Sequence, residues 1–507
     1  MKKLFFLAVC LAAFLANIFA QTPKRLKIEI KVSDSMQAKF VNGGRLLLHL
    51  SRQIETEPRS KSDVTIGYTP INWNPKITSE INTKDKNVMI SNVAKISDTS
   101  KGKFYVQVVY KQNIDDAQEN VAGNLYSTID SIDIVSPKKV NLTLYKIIPE
   151  IVIVKHPLVK SFVIQSKLLS EFSNHPRYLK ASVLLPAGYD ENNPMEYPIC
   201  YKIPGLNGRY NGVNGLVANK TFMDWWYSAD APKVIYVNLD SQGPYGDTYQ
   251  VDSENNGPCG KALTEELIPQ IEKTVHYTAG SNYRFLAGNS TGGWVAMGLQ
   301  IFYPDFFNGT FSFSPDPIDF EHYGLIDIYH DETIFYNRYG YLQPGRRTTN
   351  GEPTLSMKDW IKGENLASRT GNYLVSGGQF GAYNAVFGPK GSDGLPSLMF
   401  DPISGKIDHD IAKQWEKYDL KKILQKNWSV LGPKLQGKIY IWIGDMDGLY
   451  SNVAVRYFKA FIDKTENPKS DASINFTAMA GHGAEWSDKH ALELLAKRVA
   501  IIQQTKQ

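Results

Sequence analysis

The sequence predicts two domains in series: an all-β sandwich over residues 21–150 and an α/β domain over residues 151–507. Three observations carry that expectation. A chain of 507 residues is too long to fold around one core. Residues 25–150 alternate apolar and polar side chains with the period of strands. Beyond about Pro157, strand-like runs alternate with amphipathic helical ones, the rhythm of a sheet joined by crossover helices.

The first twenty residues read as an export signal. Lys2 and Lys3 make a basic start, Leu4 to Leu15 a short apolar stretch, and Ala20 a small residue before Gln21 where a peptidase would cut. Asn17 and Gln21 interrupt the run too early for a membrane helix, which needs about twenty apolar residues, so no stable span is expected. Leu7-Ala8-Val9-Cys10 hints at a lipoprotein box, but Val9 is bulky before the cysteine and the apolar run is short. A periplasmic or secreted protein is expected.

In the first domain Leu26, Ile28, Ile30 and Val32 point one way with Lys27, Glu29 and Lys31 between them, and Val140, Leu142 and Leu144 repeat the pattern. Leu46–Leu50, Val64–Tyr68, Val88–Ile90 and Phe104–Tyr110 lie between, separated by polar turns. Six or seven short strands without a helix suggest an immunoglobulin-like sandwich. In the second domain strands are expected at Leu179–Leu185, Ile199–Ile203, Val234–Leu239, Tyr283–Ala287, Thr310–Ser314, Ile439–Ile443 and Ile474–Met479. Helices are expected at Ala262–Val275, Val453–Ile462 and Ala491–Ile502. Residues 321–435, rich in Gly and aromatics, break the rhythm and read as an insertion between two strands, placed as a lid or pocket wall.

Bulk composition excludes several classes. With 42% hydrophobic and 21% charged residues the chain is neither disordered nor a multi-span membrane protein. A net charge of +5 is too small an excess to suggest nucleic acid as a partner. Cys200 and Cys259, the cysteines beyond the signal, make no disulfide scaffold; Cys200, inside the apolar run Tyr197–Ile203, reads as a buried thiol. CxxC, HExxH and clustered histidines are missing, so neither metal nor cofactor is expected. Asp408-His409-Asp410 reads as an acidic helix start after the Ser404-Gly405 turn, rather than as a ligand set.

The sharpest motif is Gly288-Asn289-Ser290-Thr291-Gly292-Gly293, a G-x-S-x-G pattern between an apolar strand and a helix-like run. Its flanking glycines permit the sharp strand-to-helix turn that exposes a serine hydroxyl. A serine needs a base to become a nucleophile, and the base needs an acid to orient it. Both stand downstream, each just past a strand. Ile439–Ile443 runs into Gly444-Asp445-Met446-Asp447-Gly448, and Ile474–Met479 into Ala480-Gly481-His482-Gly483. Ser290 is thus the candidate nucleophile and His482 the base. Asp447, further out and before Gly448, is favoured as acid over Asp445, which would hold the loop through backbone N–H groups. His490 starts a helix and has no comparable setting. The Thr291 N–H would form one half of an oxyanion hole. The other half should follow Ile199–Ile203 at Pro204-Gly205-Leu206-Asn207-Gly208, from Leu206 or, alternatively, Asn207.

Taken together, residues from about 158 to 502 resemble the "putative esterase" branch of the α/β-hydrolases, which holds feruloyl and acetylxylan esterases, enterochelin esterases, S-formylglutathione hydrolases and mycolyltransferases. The resemblance rests on Ser166–Phe172 leading into Tyr178–Pro186 and Gly188-Tyr189-Asp190, on Tyr197–Gly205, Leu267-Ile268-Pro269, Gly288–Gly293, Gly444–Asp447 and Gly481-His482-Gly483. It implies an α/β-hydrolase fold with Ser290, Asp447 and His482 as triad. The expected activity is a serine esterase without cofactor, acting on a small-molecule or polysaccharide-linked ester, acetyl or hydroxycinnamoyl. A siderophore esterase, an acyltransferase, a serine peptidase and a non-catalytic carbohydrate-binding protein are the alternatives. The aromatics Tyr336, Tyr339, Tyr341, Trp360, Tyr373 and Tyr383 would either stack on sugar or phenolic groups or form the insertion's own core.

Overall fold

The computed structural model describes residues 24–54, 57–97, 100–135, 139–190, 197–277 and 280–505; the expected leader, with Cys10 and Ala20, lies outside them. The chain divides into two compact units, Met1–Asn113 with Glu119–Glu150, and Ile114–Gln118 with Ile151–Gln507.

The first unit is built of nine strands: β1 (Lys27–Val32), β2 (Arg45–Ser51), β3 (Val64–Tyr68), β4 (Ser79–Asn82), β5 (Met89–Ile90), β6 (Lys103–Lys111), β7 (Leu125–Ser127), β8 (Asp130–Asp133) and β9 (Val140–Ile147). Their hydrogen-bonded order is β4-β1-β9-β7-β6-β2-β3-β5, with β8 beside β6. Alternate residues of β1, β2, β6 and β9 (Ile28, Leu48, Val106, Leu142) meet in one apolar core. β7 is hydrogen-bonded to both β6 and β9 and so links β4-β1-β9 with β6-β2-β3-β5. The strands outnumber the six or seven expected, because β4, β7 and β8 are too short to show a period. A one-turn helix, Asp34–Gln37, and a 3₁₀ turn, Val93–Ile96, also stand where no helix was expected.

The second unit is an α/β-hydrolase fold. Its sheet comprises β10 (Val159–Ser166), β11 (Arg177–Leu184), β12 (Ile199–Ile203), β13 (Ile235–Leu239), β14 (Arg284–Asn289), β15 (Thr310–Phe313), β18 (Ile439–Gly444) and β19 (Ser473–Thr477), while β16 (Pro344–Arg347) and β17 (Pro353–Ser356) form a separate hairpin. The order is β10-β11-β13-β12-β14-β15-β18-β19, antiparallel over the first three strands and parallel from β13 onward. Period 2 sends Ile199, Tyr201 and Ile203 of β12 to one face and Cys200 to the other. The face with Cys200 is covered by α6 (Asp488–Thr505), through Leu492, Leu495 and Val499. Cys200 and Cys259 are both buried and free.

The opposite face carries α1 (Thr291–Phe302) and α5 (Ser451–Ile462). The insertion lies between β15 and β18 and contributes α2 (Met357–Ala367), α3 (Gln379–Phe387) and α4 (Leu420–Lys434). Its apolar residues, among them Tyr323, Ile326, Tyr373 and Tyr383, join the same core as β12 and α1 instead of forming a satellite. The helix expected over Ala262–Val275 changes form partway: Ala262–Leu267 is π-helical and runs directly into the α-helix Ile268–Thr274, with Pro269 just past the join. Asp408 caps the helix His409–Gln414, accepting from the N–H groups of Asp410 and Ile411 at 3.1 Å each. Among the described residues no helix is long and apolar enough to cross a membrane.

Candidate active site

β14 sits mid-sheet between β12 and β15 and runs straight into Ser290, whose backbone is held at φ 58°, ψ −125°. That conformation costs a non-glycine residue about 1–3 kcal/mol and survives only where its surroundings enforce it. The two glycines of the motif do the enforcing. A Cβ on Gly288 would stand 2.2 Å from the Gly292 carbonyl oxygen, and one on Gly292 would stand 2.2 Å from that of Ile203. Neither position accepts a side chain, so strand, turn and helix close on one another and on the end of β12. Ser290 N–H donates to Phe313 O at 2.9 Å, and Ser290 O accepts from Gly293 and Trp294 N–H at 2.8 and 3.1 Å. The backbone is thus fixed while the half-buried hydroxyl makes no helix-capping bond.

Thr291, fully buried, heads α1, so its N–H is one of those that no preceding turn of the helix satisfies. Opposite, Gly205 faces the serine: a Cβ there would lie 3.3 Å from Asn289 O and 3.6 Å from Ser290 Cβ. Leu206 follows in a turn closed by Gly208 N–H donating to Gly205 O at 2.9 Å, with Asn207 at φ 65°.

Asp447 and His482 meet directly. His482 Nδ1 donates to Asp447 Oδ2 at 2.7 Å, while Asp447 Oδ1 accepts from Leu449 and Ser451 N–H at 2.9 and 3.3 Å. The carboxylate is fully buried and the ring one quarter exposed, leaving Nε2 as the free nitrogen of the pair. Asp445 is placed otherwise than expected. Its carboxylate turns outward to Arg456, and the backbone N–H groups of the loop are taken by Asp447 instead. The Asp447 and His482 loops are pressed together, since a Cβ on Gly444 would stand 2.1 Å from Ala480 O. The His482 loop in turn reaches the Ser290 turn: Gly483 N–H donates to Ser314 Oγ at 2.9 Å, and Gly483 faces the Asn289 side chain. His490 lies on α6 with Nδ1 on Glu485 O. Burial lowers the His482 pKa, but the bond to Asp447 and the charges of Asp447 and Asp316 outweigh it, and the net shift is upward against an opposing Arg346.

Two contributors were not foreseen. Asp316, wholly buried, accepts from Tyr249 Oη (2.5 Å), Thr291 Oγ1 (2.9 Å) and Gln379 Nε2 (3.0 Å), tying the head of α1 to α3 of the insertion. Burial pushes its carboxyl pKa up. Its signal was positional: a carboxylate just past the C-terminal end of a parallel strand lies on the functional edge of the sheet. Arg347 of β16 donates to Asp447 O at 3.0 Å and to Asn452 Oδ1 at 3.2 Å, bracing the acid loop from the insertion. A narrow pocket of about 40 Å³ lies beside these loops, lined by Asp316, Leu325, Met357, Trp360, Tyr383 and Leu449 among others. Away from the site, Asp319, Glu321 and His322 bring three potential ligand atoms within 4.8 Å, but Lys421 Nζ already donates to Asp319 (2.7 Å) and Glu321 (3.1 Å).

Residues 173–477 match the family model described as "Putative esterase". No curated protein matches the chain. Similar solved structures include a ferulic acid esterase (15% identity, 67% of this chain and 97% of that one, TM-score 0.42). An S-formylglutathione hydrolase from Agrobacterium tumefaciens (13%, 69% and 94%, 0.34) and a ferulic acid esterase from Anaeromyces mucronatus (14%, 67% and 88%, 0.32) are also similar.

Proposed function

This chain belongs to the "Putative esterase" family of serine carboxylic ester hydrolases, and from that premise we propose that it removes acetyl or hydroxycinnamoyl groups from plant polysaccharide through a Ser290–His482–Asp447 triad. His482 Nε2 takes the Ser290 proton as Oγ attacks the ester carbonyl, and Asp447 holds the imidazolium through Nδ1. The Thr291 and Leu206 N–H groups receive the oxyanion. The tetrahedral intermediate expels the alcohol, protonated by His482, and water activated by the same base then frees the acid.

The observation that carries this reading is the 2.7 Å bond between His482 Nδ1 and a buried Asp447, on loops that abut the strained Ser290 turn. Export rests on the basic and apolar run of residues 1–20.

The test is hydrolysis of p-nitrophenyl acetate, methyl ferulate and acetylated xylan by residues 21–507, with Ser290→Ala alongside. Turnover of at least one polysaccharide-type ester, lost in the variant, is expected. Turnover that survives Ser290→Ala would remove the triad, and turnover of p-nitrophenyl acetate alone would remove the substrate class.

A further inference from the structure

Residues 336–360 of the insertion combine cations and rings that the proposed reaction does not use. The hairpin of β16 and β17 lies along the acid and base loops. Arg347 N–H donates to Gly448 O at 2.9 Å, and a Cβ on Gly481 would stand 3.0 Å from Thr349 Cγ2 at the hairpin's tip. Its two arginines divide by face. Arg347 is consumed by carbonyl and amide oxygens of the acid loop. Arg346 is exposed, its guanidinium 4.4 Å from the centre of the Trp360 ring, and among the described residues no carboxylate pairs with it. Its charge nonetheless reaches His482, where it opposes the imidazolium.

The same stretch holds two more such cations. Lys358 donates to Tyr336 Oη at 3.1 Å and Arg338 to Tyr339 Oη at 2.7 Å, again without a carboxylate partner among the described residues. The local acids are turned elsewhere: Asp359 accepts from Ser356 Oγ at 2.6 Å, and Glu352 lies exposed in the turn joining β16 and β17. Tyr339 and Tyr341, on the turn before β16, are 68% and 72% exposed. Most large rings of the insertion are buried, so these two stand out as surface that folding leaves uncovered.

We propose that this face binds a carboxylate-bearing saccharide, a uronic acid unit of the esterified polysaccharide, with Arg346 on the carboxylate and Tyr339 and Tyr341 against sugar rings. The inference rests on the ester-hydrolase reading and names the charge class of its substrate. Arginine presents a planar fork that fits a carboxylate with two parallel hydrogen bonds, and stacking on Trp360 holds the fork ready. Exposed tyrosines offer flat apolar faces with polar edges, which suits the alternating C–H and hydroxyl surface of a sugar. Uncompensated cations beside them favour an acidic chain over a neutral one.

The experiment measures binding of the full chain carrying Ser290→Ala, so that no turnover intervenes, to glucuronoxylan and to the same polymer with its carboxylates capped as methyl esters. Glucuronoxylan should bind about fivefold more tightly, the scale of one exposed ion pair. Adding Arg346→Gln should abolish that preference, and Arg346→Lys should keep part of it. Raising sodium chloride from 20 to 500 mM should erase it as well. Tyr339→Ala with Tyr341→Ala should weaken binding to both polymers alike. Equal binding of the two polymers, no binding of either, or a preference untouched by Arg346→Gln would overturn the proposal. Failure of the ester-hydrolase reading shows separately, as p-nitrophenyl acetate turnover by the wild-type chain that Ser290→Ala does not remove.

Discussion

Replacing Gly292 by alanine tests the steric logic of the nucleophile turn. The added Cβ would sit 2.2 Å from the Ile203 carbonyl oxygen and 2.7 Å from that of Pro204, both backbone atoms that cannot rotate away. Real Cβ contacts essentially never fall under 3.0 Å, so at least 3.0 − 2.2 = 0.8 Å of displacement must be shared between α1 and the end of β12. Both carry proposed oxyanion donors, Thr291 on one and Leu206 just beyond the other. Overpacking of this kind costs about 1–3 kcal/mol of stability, and a shift near 1 Å in catalytic geometry costs about 10²-fold in rate. The expected result is therefore a folded protein whose kcat on p-nitrophenyl acetate falls about a hundredfold. Gly363→Ala, in α2, meets nothing within 4 Å and serves as control, with kcat retained. A Gly292→Ala protein with kcat within threefold of wild type would refute the argument that this glycine sets the site.

Asp447→Asn should lower kcat about 10³- to 10⁴-fold by putting the wrong hydrogen on the His482 side of the pair, whereas Asp445→Asn, which loses only the outward contact to Arg456, should leave kcat within about twofold; equal losses would make Asp445 the acid. The base must be neutral to act and its pKa is raised, so kcat/KM should fall as pH drops through a midpoint above 6.5, and Asp447→Asn should move that midpoint down. A midpoint at or below 6.5 in the wild type would contradict the Asp447 bond in solution. Tyr373→Phe, losing a buried hydroxyl that donates to Phe400 O at 3.1 Å, should cost about 1 kcal/mol in denaturant unfolding. Tyr341→Ala, on an exposed turn, should cost under about 0.5 kcal/mol.

The parts of the fold that announced themselves in the sequence are those whose burial follows a simple period. β12 reads as a strand because Ile199, Tyr201 and Ile203 all face one core, and β14 runs unbroken into its glycine turn. The strand β10 escaped notice. It pairs only with β11 at the sheet's edge, so Val163 lies exposed and the alternation along Val159–Ser166 is blurred. In the insertion, side chains enter the main core from turns and short helices, so Tyr323, Ile326 and Ile328 carry no period at all. Tyr373 and Tyr383 turn out to be core while Tyr339 and Tyr341 are surface, a division set by tertiary placement.

At the site, Ser290, Asp447 and His482 stood out because each sits just past a strand beside glycine, and glycine marks where backbone must approach backbone. That Asp447, and not Asp445, also takes the backbone N–H groups of the loop was not readable, because Asp445 is drawn outward by Arg456 of the following helix. Asp316 and Arg347 act through tertiary contacts to Thr291 and to the Asp447 carbonyl, and neither belongs to a local pattern.

The central claim is that Ser290 is a nucleophile activated by His482 and Asp447, and stoichiometric labelling with a fluorophosphonate tests it most directly. The account predicts one label per chain, mapped to Ser290 by peptide mass, lost in Ser290→Ala and slowed at least a thousandfold in His482→Ala. Labelling at another residue, or a rate unchanged by removing His482, would contradict it.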